Sequence, residues 1–306
     1  MAEQEKTDAQ RKHEREEQKP KTFAGKVKAF FKELAIVLGA FLVLNNFVLA
    51  SFMVPTGSME NEVMAGDLLF VNKFIYGGTS PRNIPFTNVR LPWFRVPGFR
   101  DVERGDVIVF VFPGYRDEVE PEEFTFYLKR CVGMPGDTIS IVDRVLYVNG
   151  QQFPLPRNLK FNRHTILPRG EGSESIFPKG APWNEDNYGP LVVPKKGMTI
   201  PLNANNISQW EVFIKREGHQ LQLVEGKVMI DGKETSEYIV ERDYLFGMGD
   251  NRDNSLDSRY WGFIPKENLV GTPLIVYWSW SPDIPIYSLI DKLASVRFNR
   301  IGTIIR

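Results

Sequence analysis

Hydrophobic and polar positions alternate at different periods along this chain and cut it into stretches of distinct kind. Residues 1–22 are almost entirely polar and charged, with mixed-sign runs such as Arg11-Lys12-His13-Glu14-Arg15-Glu16-Glu17. Nothing there can be buried, so the pattern predicts a disordered or loosely helical tail. From Phe23 the apolar positions Phe23, Val27, Phe30, Phe31 and Leu34 fall at helical spacing while Lys26, Lys28 and Lys32 point elsewhere, as in a helix approaching a membrane. Residues 35–54, AIVLGAFLVLNNFVLASFMV, carry no charge and would be about 30 Å long as a helix, the thickness of a bilayer's hydrocarbon core. A single transmembrane helix over 35–54 is expected, after a cytoplasmic tail over 1–34. A cleaved signal peptide and a buried core helix are the competing readings, and the long polar lead argues against the first. Lys19, Lys21, Lys26, Lys28 and Lys32 precede the apolar run, which places the N-terminus in the cytoplasm and everything past Pro55 outside the inner membrane.

Beyond that run the period changes to two. Strands are expected over residues 67–76, 105–112 (GDVIVFVF) and 125–132 (TFYLKRCV), followed by a hairpin of 138–142 with 145–149. Residues 79–104 are proline-rich and mix Ile84, Phe86, Leu91, Trp93, Phe94, Val96 and Phe99 with arginines, a composition that suits a packed loop or a membrane interface. Residues 151–240 shift to Pro, Gly, Asn and charge, with one hairpin across Asp231-Gly232, and read as an inserted lobe of short strands and long loops. Buried-strand character returns over 244–248 and 269–280, and Ile286, Leu289, Ile290 and Leu293 predict a short helix near the end. The fold class expected is mainly β: a catalytic β domain over 55–150 and 241–306, interrupted by the lobe.

Composition narrows the chemistry. Of 306 residues, 42% are apolar and 25% charged, with 38 cationic and 38 acidic side chains, so the formal net charge of zero gives no electrostatic argument for nucleic acid. The single cysteine, Cys131, excludes an intrachain disulfide. His13, His164 and His219 stand in no metal-ligand spacing and one cysteine cannot complete a zinc site, so no zinc is expected, and no motif in the chain implies another metal or an organic cofactor.

Two candidate reactive groups remain. In VPTGSM at 54–59, Pro55 fixes its φ and Gly57 accepts unusual backbone angles, so Ser58 can be presented on a tight turn near backbone N–H groups; a plain linker turn is the bland alternative. A serine hydroxyl needs a base. His13 precedes the apolar run and the other two histidines fall in the lobe, which disfavours a Ser-His-Asp triad and leaves a lysine whose burial lowers its pKa. Lys129 sits inside a strand and shares a face with Tyr127 and Cys131, while Arg130 shares the other with Leu128 and Val132. Only one of the two need be buried, and spacing alone equally allows a solvent-facing edge lysine.

Four boxes in order carry a family likeness: PTGSM at 55–59, GDVIVF at 105–110, YLKRCVGMPGD at 127–137 and GDNRDNSLDSRYWG at 249–262. Following an apolar segment, they resemble the bacterial type I signal peptidases, or leader peptidases; the lobe and residues 79–104 lie outside the likeness. The resemblance implies a membrane-anchored serine endopeptidase that cuts signal peptides from secretory preproteins after small residues, with Ser58 as acylated nucleophile and Lys129 as general base. It implies an oxyanion hole from the Ser58 N–H and the Thr56 hydroxyl, and an amine-orienting role for Ser255. It further implies a supporting charge network of Asp250, Arg252, Asp257 and Arg259. Secretory preproteins and membrane lipid are the expected partners. A catalytically inactive tethered module of the same fold is the alternative; a self-cleaving repressor of related fold would need a DNA-binding domain where this chain has its apolar run.

Overall fold

The computed structural model describes residues 22–84 and 89–306; the polar tail expected over the first residues falls outside this range, except for its last. The described residues up to Asn45 and those from Asn46 on form two separate compact units. In the first, helix α1 (Phe23–Val43) starts at Thr22, whose hydroxyl accepts the Gly25 amide, and buries none of its residues. The expectation of one transmembrane helix over 35–54 is corrected: no helix among the described residues is long and apolar enough to cross a membrane. Lys26, Lys28, Lys32 and Glu33 occupy the first half of α1. Its last residues run into a widened π turn (Leu44–Val48) containing Asn45 and Asn46, and strand β1 (Leu49–Met53) takes the end of the apolar run.

The second unit is built on a seven-stranded antiparallel sheet. Its members are β1, β2 (Asp67–Asn72), β3 (Val107–Val111), β4 (Phe126–Gly133), β14 (Tyr244–Met248), β15 (Ile264–Pro265) and β16 (Leu269–Ser279), in the order β1-β2-β16-β3-β4-β14-β15. Three strands separate β1 from β4, yet the Phe52 and Phe126 rings lie 5.0 Å apart in an edge-to-face contact, so the sheet curls on itself. Inside the curl, Val107, Val109 and Val111 pack with Val54, Met59, Leu69 and Val71; on the other face Ile108 and Phe110 pack with Cys131, Leu245 and Trp261. A strand covered on both faces reads as an unbroken apolar run, which is why VIVFV shows no alternation.

A second, four-stranded sheet, ordered β7-β6-β5-β8, pairs β5 (Thr138–Val142), β6 (Val145–Val148), β7 (Gln151–Gln152) and β8 (Tyr188–Val192). It therefore recruits the 138–148 hairpin, on the catalytic side of the boundary expected at 150. The lobe continues through β9 (Thr199–Pro201), helix α2 (Ile207–Arg216), β10 (Leu221–Val224), β11 (Lys227–Ile230), β12 (Lys233–Glu234) and β13 (Glu237–Ile239). Helix α2 is an addition to the strands and loops read from sequence. The hairpin across Asp231-Gly232 forms as expected, Ile230 pairing with Lys233. The lobe's core takes in Tyr244, Phe246 and Phe263 from the large sheet's far end, so lobe and sheet share one apolar cluster. Helix α3 (Ser258–Trp261) lies between β14 and β15, and helix α4 (Leu289–Ala294) follows β16 where the spacing predicts it.

Candidate active site

Ser58 follows β1, on a turn fixed from outside. The Asn251 amide donates to the Ser58 carbonyl at 3.0 Å, and the Asn251 carboxamide donates to the Gly57 carbonyl and to Glu60, each at 3.0 Å. Lys160, from the lobe, donates to the same Glu60 oxygen at 2.9 Å. Gly57 has no left-handed φ here and a Cβ on it would make only ordinary contacts, so the expectation that the turn needs its conformational freedom is corrected. The reason is local: Glu60 N–H returns to the Gly57 carbonyl and Val63 N–H to Met59, a helix-like bend open to any residue. The glycine this site does require is Gly249, where an added Cβ would meet the Ser255 hydroxyl at 2.2 Å and the Ser58 carbonyl oxygen at 2.6 Å.

Lys129 arrives from β4, and its amine lies 2.7 Å from the Ser58 Oγ and 3.1 Å from the Leu128 carbonyl. With 3% of its surface exposed, the solvent-facing edge lysine is ruled out. Burial pushes its pKa down to about 8, Arg259 adding to the depression while Asp257 and Asp250 oppose it. No carboxylate among the described residues forms an ion pair with the amine. The Tyr127 and Trp261 rings flank it at 5.7 and 5.9 Å, the outer limit of a cation–π contact. At neutral pH a neutral fraction of roughly a tenth is therefore present, able to accept the Ser58 proton.

Arg130 is buried too, at 6%, on the opposite face, so both basic residues of the strand are interior where sequence spacing required only one. Its guanidinium meets Asp250 through two bonds, Nε to Oδ1 at 2.8 Å and Nη2 to Oδ2 at 2.5 Å. Asp257 accepts from Arg259 at 2.9 Å through both Nε and Nη2, and also receives the Gly249 amide at 3.1 Å. Burial would raise the Asp257 pKa, but the Arg259 charge and its hydrogen bonds outweigh it and hold the carboxyl below its usual range. Arg252 departs from the network drawn from sequence: its Nε donates to the Gly249 carbonyl at 3.1 Å, and its own carbonyl receives Arg259. The partner of Asp250 is thus Arg130, a residue the sequence analysis did not assign to the network. The signal was present in the strand alternation, since a guanidinium placed opposite Lys129 must point into the other layer.

Thr56 stands exposed on the rim of a cavity of about 770 Å³ that also contains Ser58, Lys129, Ser255 and Leu256, and whose walls include Phe52, Met53, Val54, Phe126, Tyr127 and Leu128. The Ser58 amide has no acceptor among the described residues. Ser255 lines this cavity, but its buried hydroxyl has no hydrogen-bond partner, so the bond to the lysine amine expected of it is not formed in this state. Among the described residues no group of histidine, cysteine, aspartate and glutamate could hold a metal ion.

Residues 27–278 match the family model described as "Signal peptidase, peptidase S26". The chain is 30% identical over 290 residues to "Signal peptidase I" of Pseudomonas aeruginosa, covering 90% of this chain and 78% of that protein. It is 32% identical over 291 residues to the protein of the same name from Pseudomonas fluorescens, with 90% and 78% covered. With that of Rickettsia prowazekii it shares 31% over 289 residues, with 90% and 92% covered. A signal peptidase I crystal structure from Enterococcus faecalis, 20% identical, superposes with a TM-score of 0.26, covering 56% of this chain and 97% of that one.

Proposed function

This chain belongs to the signal peptidases of peptidase family S26, and from that premise we propose that it cleaves signal peptides from secretory preproteins through an acyl-enzyme made by Ser58 and Lys129. The observation that carries the reading is the 2.7 Å contact between a serine hydroxyl and an almost fully buried lysine amine with no ion-pair partner. In the first step the neutral amine takes the Ser58 proton while Oγ adds to the scissile carbonyl carbon. The oxyanion lies against the free Ser58 N–H and the Thr56 hydroxyl. Collapse breaks the C–N bond, and the Lys129 ammonium gives its proton to the departing amine of the mature protein. The same amine then takes a proton from water, which attacks the ester; the signal peptide leaves as a carboxylate and Ser58 regains its hydrogen. Ser255, unpartnered in the resting site, is assigned to hold the amine once Ser58 Oγ is esterified.

Substrate binding follows from the sheet. β14 pairs with β4 only over Arg130–Gly133, leaving the Phe126–Lys129 edge open on that side. An extended peptide adds there as a strand, placing alternate side chains into the Val54, Met59 and Leu128 wall, where alanine-sized groups fit. The charge pairs of Arg130 with Asp250 and of Asp257 with Arg259 hold the 249–262 loop in place. None of the apolar side chains of α1 is buried and most are exposed, which supports a hold on the bacterial inner membrane.

The test is cleavage of a radiolabelled precursor by the detergent-solubilised full chain. Ser58→Ala and Lys129→Ala are each expected to lower kcat by roughly a thousandfold or more with the circular dichroism spectrum unchanged. Turnover near that of the parent in either variant removes the dyad.

A further inference from the structure

Arg82, Arg90, Leu91 and Trp93, from the arginine- and aromatic-rich stretch, take no part in the chemistry above, yet they build one wall of a second cleft, of about 390 Å³, within the usual span of small-molecule sites. Five cationic side chains line it, Arg82, Arg90, Lys215, Arg216 and Arg242, against two carboxylates, Glu120 and Glu267. Arg90 is spent on Glu120 and Arg242 on Glu267, while Lys215 reaches Glu211 outside the cleft.

Arg82 and Arg216 are different, for they meet only main-chain oxygens. Arg82 lies flat over the Trp93 ring at 3.9 Å and donates through Nη2 to the Glu267 carbonyl at 2.6 Å, and its buried Nε has no acceptor. Arg216 donates to the carbonyls of Glu118 at 3.0 Å and Tyr115 at 2.6 Å. Carbonyls aim a guanidinium without neutralising it, and burial lowers both pKa values to about 10. Glu267 and Glu118 act on the two guanidiniums through space but form no ion pair with them, and two forks held by carbonyls, in a cleft with more cations than carboxylates, suit a phosphate.

The surroundings indicate which phosphate. Trp93 is followed by Phe94, whose exposed ring packs 6.0 Å from that of Phe47, a residue of the apolar run; Val89 and Phe99 stand exposed on the same segment. Tryptophan and arginine beside exposed apolar side chains are the composition of a protein at lipid headgroup level.

We propose that this cleft binds the phosphate of an anionic phospholipid headgroup between Arg82 and Arg216, with Trp93 at the acyl-chain side. The inference rests on the membrane-bound reading above, but its readout is lipid binding, which can be measured whether or not the precursor is cut. The full chain in neutral detergent is titrated with a fluorescent short-chain phosphatidylglycerol and, separately, with the phosphatidylcholine of equal chain length. The parent is expected to bind phosphatidylglycerol at least tenfold more tightly, and Arg82→Gln with Arg216→Gln to bring it to the phosphatidylcholine level. Lys227→Gln, which removes an exposed cation outside the cleft, should retain the preference. Equal affinity of the parent for the two lipids overturns the proposal, as does a folded double variant that keeps its preference. If that variant does not fold, the comparison in the parent decides alone. Competition by inorganic phosphate as effective as the lipid itself would make this a free-anion site and refute the lipid.

Discussion

Lys129 and Arg130 are neighbours on one strand, both cationic in water and both interior, yet the protein treats them in opposite ways. Arg130 faces a layer where Asp250 meets it through two bonds, and its charge is kept; burial alone would lower its pKa, but the Asp250 bonds raise it. Lys129 faces an aromatic layer of Tyr127 and Trp261, and the nearby Asp257 is already committed to Arg259. Its charge is disfavoured. The lesson is that burial of a base does not fix its charge state by itself; whether a carboxylate is within reach decides if the group keeps its proton or is poised to lose it.

The largest effect should come from making Arg130 resemble its neighbour. Asp250→Asn leaves a buried guanidinium unpaired, which should cost about 3–5 kcal/mol of stability in urea unfolding and loosen the loop that carries Ser255. A loss below about 1 kcal/mol would mean that the pair does not hold the fold.

The Lys129 side is expected to be organised for the charge that develops on substrate oxygen. Thr56→Val, which keeps the shape and removes the hydroxyl, should lower kcat by a factor corresponding to about 3 kcal/mol with KM little changed. An unaltered kcat would remove Thr56 from the oxyanion site.

Replacing the unpaired amine should act on stability in the opposite direction to breaking the ion pair. The unfolded lysine keeps its proton up to the usual 10.5, the folded one only to about 8. The unfolded chain therefore binds more protons over that window, and the penalty is full below about pH 8 and fades as pH rises toward 10.5. Lys129→Met should thus stabilise the fold at pH 7 by up to about 3 kcal/mol, an advantage that shrinks above pH 8; melting temperatures across pH test it. In the parent enzyme the same ionisation makes log kcat/KM climb with unit slope until about pH 8 and then level off, and a flat profile through that region would contradict a neutral-amine base.

The smallest effect is assigned to Ser255. Its hydroxyl bonds nothing in the resting site, so Ser255→Ala should leave acylation almost intact and slow kcat by about tenfold through deacylation, visible as acyl-enzyme accumulation in a burst assay. Loss of the burst itself would place Ser255 in the first step instead.

Much of this protein was fixed locally. The strands at 107–111 and 126–133, the 138–148 hairpin, the turn at Asp231-Gly232 and the final short helix follow from period and turn chemistry, which act over a few residues. Ser58 and Lys129 were legible as candidates for the same reason, a serine on a turn and a lysine inside a strand. Other features depended on partners distant in sequence. The apolar run ends in a strand because β2 offers it an edge, something its own uncharged composition cannot signal. Gly249, rather than Gly57, is the glycine the site requires, because the Ser58 carbonyl and the Ser255 side chain crowd it. The contact of Ser58 with Lys129 spans 71 positions, and that of Arg130 with Asp250 spans 120. Alternation places the two bases on opposite faces, but only the curled sheet determines which face holds a carboxylate and which is left without one.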